Sequence, residues 1–168
     1  MKKMILLGFL LSSFLCFSQN EYQSNEFKID GFGLFFNRIG IGYERILNSN
    51  SGIGARVFMK KTESYYAMPY YRRYLHQDAY AYASDLFLEG FAMYGSYIPR
   101  DSENNLLDNG KRNSMIGAGF GIGEKAILQS GFFFEGVINV GAGKSLQPTT
   151  ESEFKFITQV SASVGYRF

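Results

Sequence analysis

The chain reads as all-β: a single eight-stranded antiparallel up-and-down barrel that crosses a membrane with its strands, preceded by a cleaved signal peptide. Three observations lead there. The 168 residues are 17% aromatic and include 19 glycines, no Trp and one Cys. Eight segments of about ten residues, the length a tilted membrane strand needs, are separated by turn residues. Within them apolar residues alternate with polar or small ones, so each strand carries one apolar row. No apolar run of about 18 residues follows the leader, so the sequence holds no membrane-spanning helix.

The leader is an address. Lys2 and Lys3 form a positive start, and Met4 to Leu15 form an apolar stretch too short to span a bilayer. Cys16-Phe17-Ser18 has small residues at the two positions that direct cleavage, so residues 1–18 are removed and the barrel domain is 19–168. A lipid-anchored Cys16 needs small residues before it, but Phe14 and Leu15 stand there. The mature chain then has no cysteine, hence no disulfide and no thiolate. Loss of the two lysines leaves basic and acidic residues balanced, which excludes a basic field for nucleic acid.

The strands follow in order. The first covers 26–36 and ends at Asn37, a residue tolerant of turns. The second, 38–47, sets Ile39, Ile41 and Tyr43 against Gly40, Gly42 and Glu44, and "NSNS" (48–51) ends it. The third covers 52–61, with "TES" at 62–64. The fourth, 64–75, contains Pro69, which cannot donate to a ladder. It also contains Arg72 and Arg73, which must face opposite ways; Arg72 is placed inward with Met68, Tyr70 and Tyr74. "HQDAYAYAS" (76–84) precedes the fifth strand, 85–98, and "PRDSENNLLDNGK" (99–111) precedes the sixth, 113–127. In the sixth, Ile116, Ala118, Phe120 and Ile122 oppose Gly117, Gly119, Gly121 and Gly123. After "LQSG" the seventh covers 131–143, with Phe132, Phe134, Gly136, Ile138 and Val140 on one face. The eighth, 154–168, alternates throughout: Phe154, Phe156, Thr158, Val160, Ala162, Val164, Tyr166 and Phe168 against Lys155, Ile157, Gln159, Ser161, Ser163, Gly165 and Arg167.

Several motifs suggest chemistry and fail on context. "NVGAGKSL" (139–146) ends like a phosphate-binding loop, but the opening glycine position holds Ile138, and Pro148 follows where a helix must start. Gly141 and Gly143 therefore read as inward wall positions, with Lys144 and Ser145 beginning a loop. The glycines of "GAGFGIGEK" recur at period two, which is a strand face and not a dinucleotide fingerprint. His76 is the only histidine, and His76-Gln77-Asp78 lacks the serine two residues on that lipid A deacylases of the PagL type use. One histidine without cysteine is too few strong ligands for zinc. No cofactor, metal or nucleotide is expected.

Hydrocarbon cannot solvate a charge, so strand charges belong inside. Glu44, Arg56, Arg72, Glu89, Lys125 and Glu135 fall on the inward faces. They suit either a polar pore with proton-handling groups or a salt-bridge network filling a narrow lumen. An eight-strand barrel is only wide enough for its own side chains, which favours the structural network. Tyr65, Tyr66, Tyr70, Tyr71, Tyr80, Tyr82, Tyr94 and Tyr97 read as an aromatic girdle in preference to a sugar platform.

The stretches "GIGYERIL" (40–47), "MPYYRRYL" (68–75), "FLEGFAMYGSY" (87–97), "FFFEGVINVGAGKSL" (132–146) and "SASVGYRF" (161–168) resemble the small outer-membrane β-barrel proteins of the OmpX and OmpA-barrel type. More narrowly, they resemble a group of secreted eight-strand barrels from Gram-negative bacteria. Ser161, Ser163, Tyr166 and Phe168 are similar to the assembly signal of such barrels, with Ser163 in place of the usual glycine. The resemblance implies the fold and the outer membrane, with outer-membrane lipid and the barrel assembly machinery as partners of a monomer. It implies no activity, because one fold hosts many functions. The expectation is a structural or interaction barrel that is not an enzyme. A narrow pore or small-ligand transporter, a lipid-modifying enzyme, and a soluble periplasmic barrel or sandwich remain alternatives. With both ends in the periplasm, the 37–38, 62–63, 99–112 and 144–153 connections lie outside. The 76–84 connection then lies inside, longer than such turns usually are.

Overall fold

The computed structural model describes residues 23–33, 37–60, 64–75, 85–98, 111–146 and 154–168. It contains eight strands: β1 (Asn25–Asp30), β2 (Arg38–Asn48), β3 (Ser51–Lys60), β4 (Ser64–Tyr74), β5 (Asp85–Tyr97), β6 (Asn113–Ile127), β7 (Phe132–Ser145) and β8 (Phe154–Arg167). Each pairs antiparallel with the next in chain order, and β8 pairs with β1 to close the barrel. Closure removes the free edges that an open sheet would present. Backbone bonds between Asn25 and Phe168, at 3.0 and 2.8 Å, fasten the seam. We call the end bearing these residues the terminal end and the opposite one the loop end.

The strand bounds differ from the sequence expectation mainly at two places. β1 stops at Asp30 instead of 36. The Asp30 carboxylate accepts a hydrogen bond from the Gly33 N–H at 3.1 Å, and this side-chain capture of the backbone turns the chain away from the ladder. At the other place β7 runs on to Ser145. Gly141, Gly143 and Ser145 find register partners in Gly119, Gly117 and Met115, so "GAGKS" is strand throughout and Lys144 is an outward strand residue. The β6–β7 hairpin turns at Gly131, whose φ of 87° lies where side chains are disfavoured.

Alternation separates two surfaces. The outside carries thirty large apolar side chains around the described strands, among them Ile41, Val57, Leu88, Phe120, Ile138 and Val164. Exposed strand charges are Arg45, Lys60, Arg73, Glu124, Lys144 and Lys155, and each lies within three residues of a strand end. The lumen is filled, and unevenly. Towards the terminal end it holds charged groups beside a small apolar cluster of Ile46, Tyr74, Phe87 and Val137; towards the loop end it holds Phe58, Met68, Tyr70, Phe91 and Met93, flanked by Tyr66, Met115 and Ile157. Large side chains face glycines on the neighbouring or opposing wall. Phe58 lies where a Cβ at Gly40 would stand, Phe91 against Gly119, Phe87 against Gly123 and Phe133 against Gly165.

Candidate functional site

The charged half of the lumen is the one concentration of polar chemistry among the described residues. Nine charged side chains are buried there: Glu26, Glu44, Glu89 and Glu135 against Lys28, Arg56, Arg72, Lys125 and Arg167; Asp30 is buried nearer the loop end, paired with half-buried Arg38 at 3.4 Å. With Asp30 the fully buried charges balance at five of each sign, and half-buried Arg38 stands outside that balance. Neutrality matters because unpaired charges in a dry lumen are strongly unfavourable.

Arg72 is the hub. From β4 it donates through Nη1 to Glu44 at 2.8 Å, through Nε to Glu89 at 2.7 Å, and through Nη2 to Glu135 at 2.8 Å. It therefore ties β2, β5 and β7 together. Its guanidinium also lies 4.0 Å from the Phe87 ring centre and 4.5 Å from that of Tyr70, an apolar and cation–π seat. Glu89 bridges onward to Arg56 on β3. Lys28 on β1 donates to Glu135 at 2.8 Å and Glu44 at 3.2 Å. Lys125 on β6 donates to Glu26 at 2.6 Å and to the Tyr74 hydroxyl, which itself donates to Glu44 at 2.7 Å. Arg167 on β8 completes the ring by binding Glu26 at 2.9 Å through Nε. All eight strands contribute, so the network braces the wall from inside.

Glu44, Arg56, Arg72, Glu89, Lys125 and Glu135, singled out from the sequence, are all buried in the lumen and belong to this network. Sequence reasoning missed Glu26, Lys28 and Arg167 as members, and Asp30 as the partner of Arg38. The signal was present in "NEFKID", where charges alternate with Phe27 and Ile29, and in the inward position of Arg167. Two of the tyrosines assigned to a girdle point elsewhere: Tyr70 is buried and Tyr66 is half-buried against the apolar cluster, stacked on Phe58 at 4.9 Å. Tyr65, Tyr71 and Tyr94 are exposed on the outer wall. Ser161 is buried and donates to Asp30 at 2.9 Å, and Ser163 is buried beside it on β8. Tyr166 packs edge-on against Phe132 on the outside. His76, Tyr80 and Tyr82 lie outside the described residues.

Carboxylate oxygens of Glu26, Glu44 and Glu135 come within 4.8 Å of one another, a spacing that a metal ion could use. The donor set does not fit one. Lys28, Arg72 and Lys125 already contact these three groups, and a divalent cation would enter beside three resident cations. The same saturation counts against acid–base chemistry, which needs a carboxylate or lysine with a face free for substrate. Where the charged half meets the apolar half, Asn139 and Gln159 pair in register on β7 and β8. Their buried amides have no partner among the described residues.

Comparisons with protein-family models, curated proteins and solved structures return no match to this chain.

Proposed function

We propose that this chain is an outer-membrane β-barrel with a structural or interaction role and no chemistry of its own. One observation carries the reading: the outer wall is apolar all the way round, while the strand charges are inside or close to strand ends. Soluble proteins rarely expose contiguous apolar patches beyond a few hundred Å². A closed barrel satisfies its backbone internally, as hydrocarbon requires. The charges near the strand ends fall where a membrane boundary would lie. On this reading residues 1–18 are the export signal, lipid surrounds the wall, and the protein resembles the OmpX and OmpA-barrel type in architecture. The filled lumen favours a closed wall over a pore.

Fractionation followed by gel electrophoresis with and without boiling tests this. The expected result is membrane-bound protein that migrates faster unboiled, because folded barrels resist SDS. Soluble periplasmic protein with one mobility would overturn it. Planar bilayers should record no steady conductance. The mature mass should begin at Gln19 without lipid. Assembly is open to a separate measurement. Phe168 closes the seam to Asn25 through both its N–H and its C=O. Deleting it should lower membrane yield at low expression, in keeping with an assembly signal read by the barrel assembly machinery. Equal yield removes that role.

A further inference from the structure

The outer wall is not uniformly ridged. One register line crosses β6, β7 and β8 through Glu124, Gly136 and Ala162, and the Ala162 carbonyl accepts from Gly31 beyond β1 at 2.9 Å. Three consecutive positions on that line have no side chain beyond Cβ. Two residues to one side stand Phe134, Val164 and Ile29; two residues to the other stand Ile122, Ile138 and Val160. All six are exposed. Small residues between two apolar ridges make a groove, and an open cavity of about 570 Å³ follows its floor and its Phe134–Val164 wall. Nothing stands within 4 Å of where a Cβ at Gly136 would be, so the floor is open.

The groove has a direction. Lys125 shares a register line with Glu135, Ser163 and Asp30, yet its ammonium reaches Glu26, four residues nearer the terminal end of β1. Register lines therefore rise towards the loop end in chain order, as strand tilt requires. Glu124 is the lowest point of the groove and Gly31 the highest. Glu124 is exposed, three residues from the end of its strand, and has no hydrogen bond or ion pair among the described residues. A lone carboxylate at the boundary thus opens into an apolar channel that climbs into the apolar belt.

We propose that this groove seats one phospholipid whose headgroup carries an ammonium, with the amine at Glu124 and an acyl chain rising over Gly136 and Ala162. The inference rests on the membrane reading above. Charge selects the occupant: an anionic headgroup meets repulsion at Glu124, and an ammonium meets attraction. Two ridges four residues apart on a strand leave a gap of about one hydrocarbon chain once their side chains are counted.

The test is native mass spectrometry of the full mature chain, refolded in detergent, with dioleoyl-phosphatidylethanolamine and dioleoyl-phosphatidylglycerol supplied at equal concentration. The wild type should retain one phosphatidylethanolamine, favoured about threefold over phosphatidylglycerol, as one exposed ion pair allows. Gly136→Ile fills the floor without meeting another atom at its Cβ and should abolish both adducts. Glu124→Gln should keep an adduct and lose the preference. Ala162→Leu repeats the floor test should Gly136→Ile fold poorly. Equal retention of the two lipids by wild type, an undiminished adduct in the filled-floor variants, or a dimer occupying the groove overturns the proposal. Insertion of the same protein into vesicles separates the two readings. Protein that inserts and shows no adduct overturns the lipid seat alone, whereas protein that never inserts overturns both.

Discussion

Towards the chain termini the lumen is filled by Arg72, Lys28, Lys125 and the carboxylates they hold, whereas towards the loops it is filled by Phe58, Met68, Phe91 and Met93. The difference lies in how each filling depends on its parts. A carboxylate such as Glu44 accepts from Arg72, Lys28, Lys125, Tyr70 and Tyr74, so each member of the charged half is justified only by the others. In the apolar half the requirement is volume. Ring and thioether contacts are individually weak, have little direction and tolerate exchange. The charged half therefore specifies one arrangement of strands, and the apolar half closes the bore.

The largest test of this contrast removes the hub. Arg72→Ala leaves Glu44, Glu89 and Glu135 short of a cation and should lower stability by about 3–5 kcal/mol, with Glu44→Ala of the same order. Urea titration of the refolded barrel measures it. Midpoints close to wild type for both would mean that water reaches these groups and that the network does not brace the wall. A double-mutant cycle sharpens the point. Glu135→Ala should be milder in the Arg72→Ala background than alone, with a coupling of about 1–3 kcal/mol. Strict additivity would reduce the network to independent pairs.

Smaller effects belong to the apolar half. A Cβ at Gly119 would overlap the Val140 carbonyl and crowd the tip of the Phe91 ring. Gly119→Ala should therefore cost about 1–3 kcal/mol through overpacking, read from the same titration. A neutral outcome would show that β6 and β7 can part without loss. The smallest change is Met68→Leu, a volume-conserving swap inside the apolar cluster, expected below about 1.5 kcal/mol. A loss as large as that of Arg72→Ala would erase the distinction between the halves.

Much of the site was legible because strand faces are a local matter. Glu44, Arg72 and Glu135 each stand out of phase with apolar neighbours, and that is visible in "GIGYERIL", "MPYYRRYL" and "FFFEGVINV". The β1 members are harder to see because the sequence pattern runs on to 36, whereas the strand's ending depends on the capture of Gly33 by Asp30. A short strand of three alternating charges looks like a solvated edge until a partner wall encloses it. The inward turn of Tyr66 was equally hidden, since "SYYAMPYY" offers tyrosines to both faces and the pairing with β3 and β5 selects among them.

The sequence by itself determined the all-β class, the number of strands and the side taken by residues in the clearly alternating strands, because a period of two is imposed by the backbone of a single strand. It determined also that the mid-strand charges and the glycines of "GAGFGIG" share the inner face. Only the tertiary structure decided partners. Lys28 and Glu135 lie 107 positions apart and meet because closure sets β1 beside β8 and the tilt carries β7 across the lumen. The division of the bore into a charged and an apolar half has the same origin. Register fixes the height at which each inward residue stands, and height is a property of the closed barrel that no single strand contains.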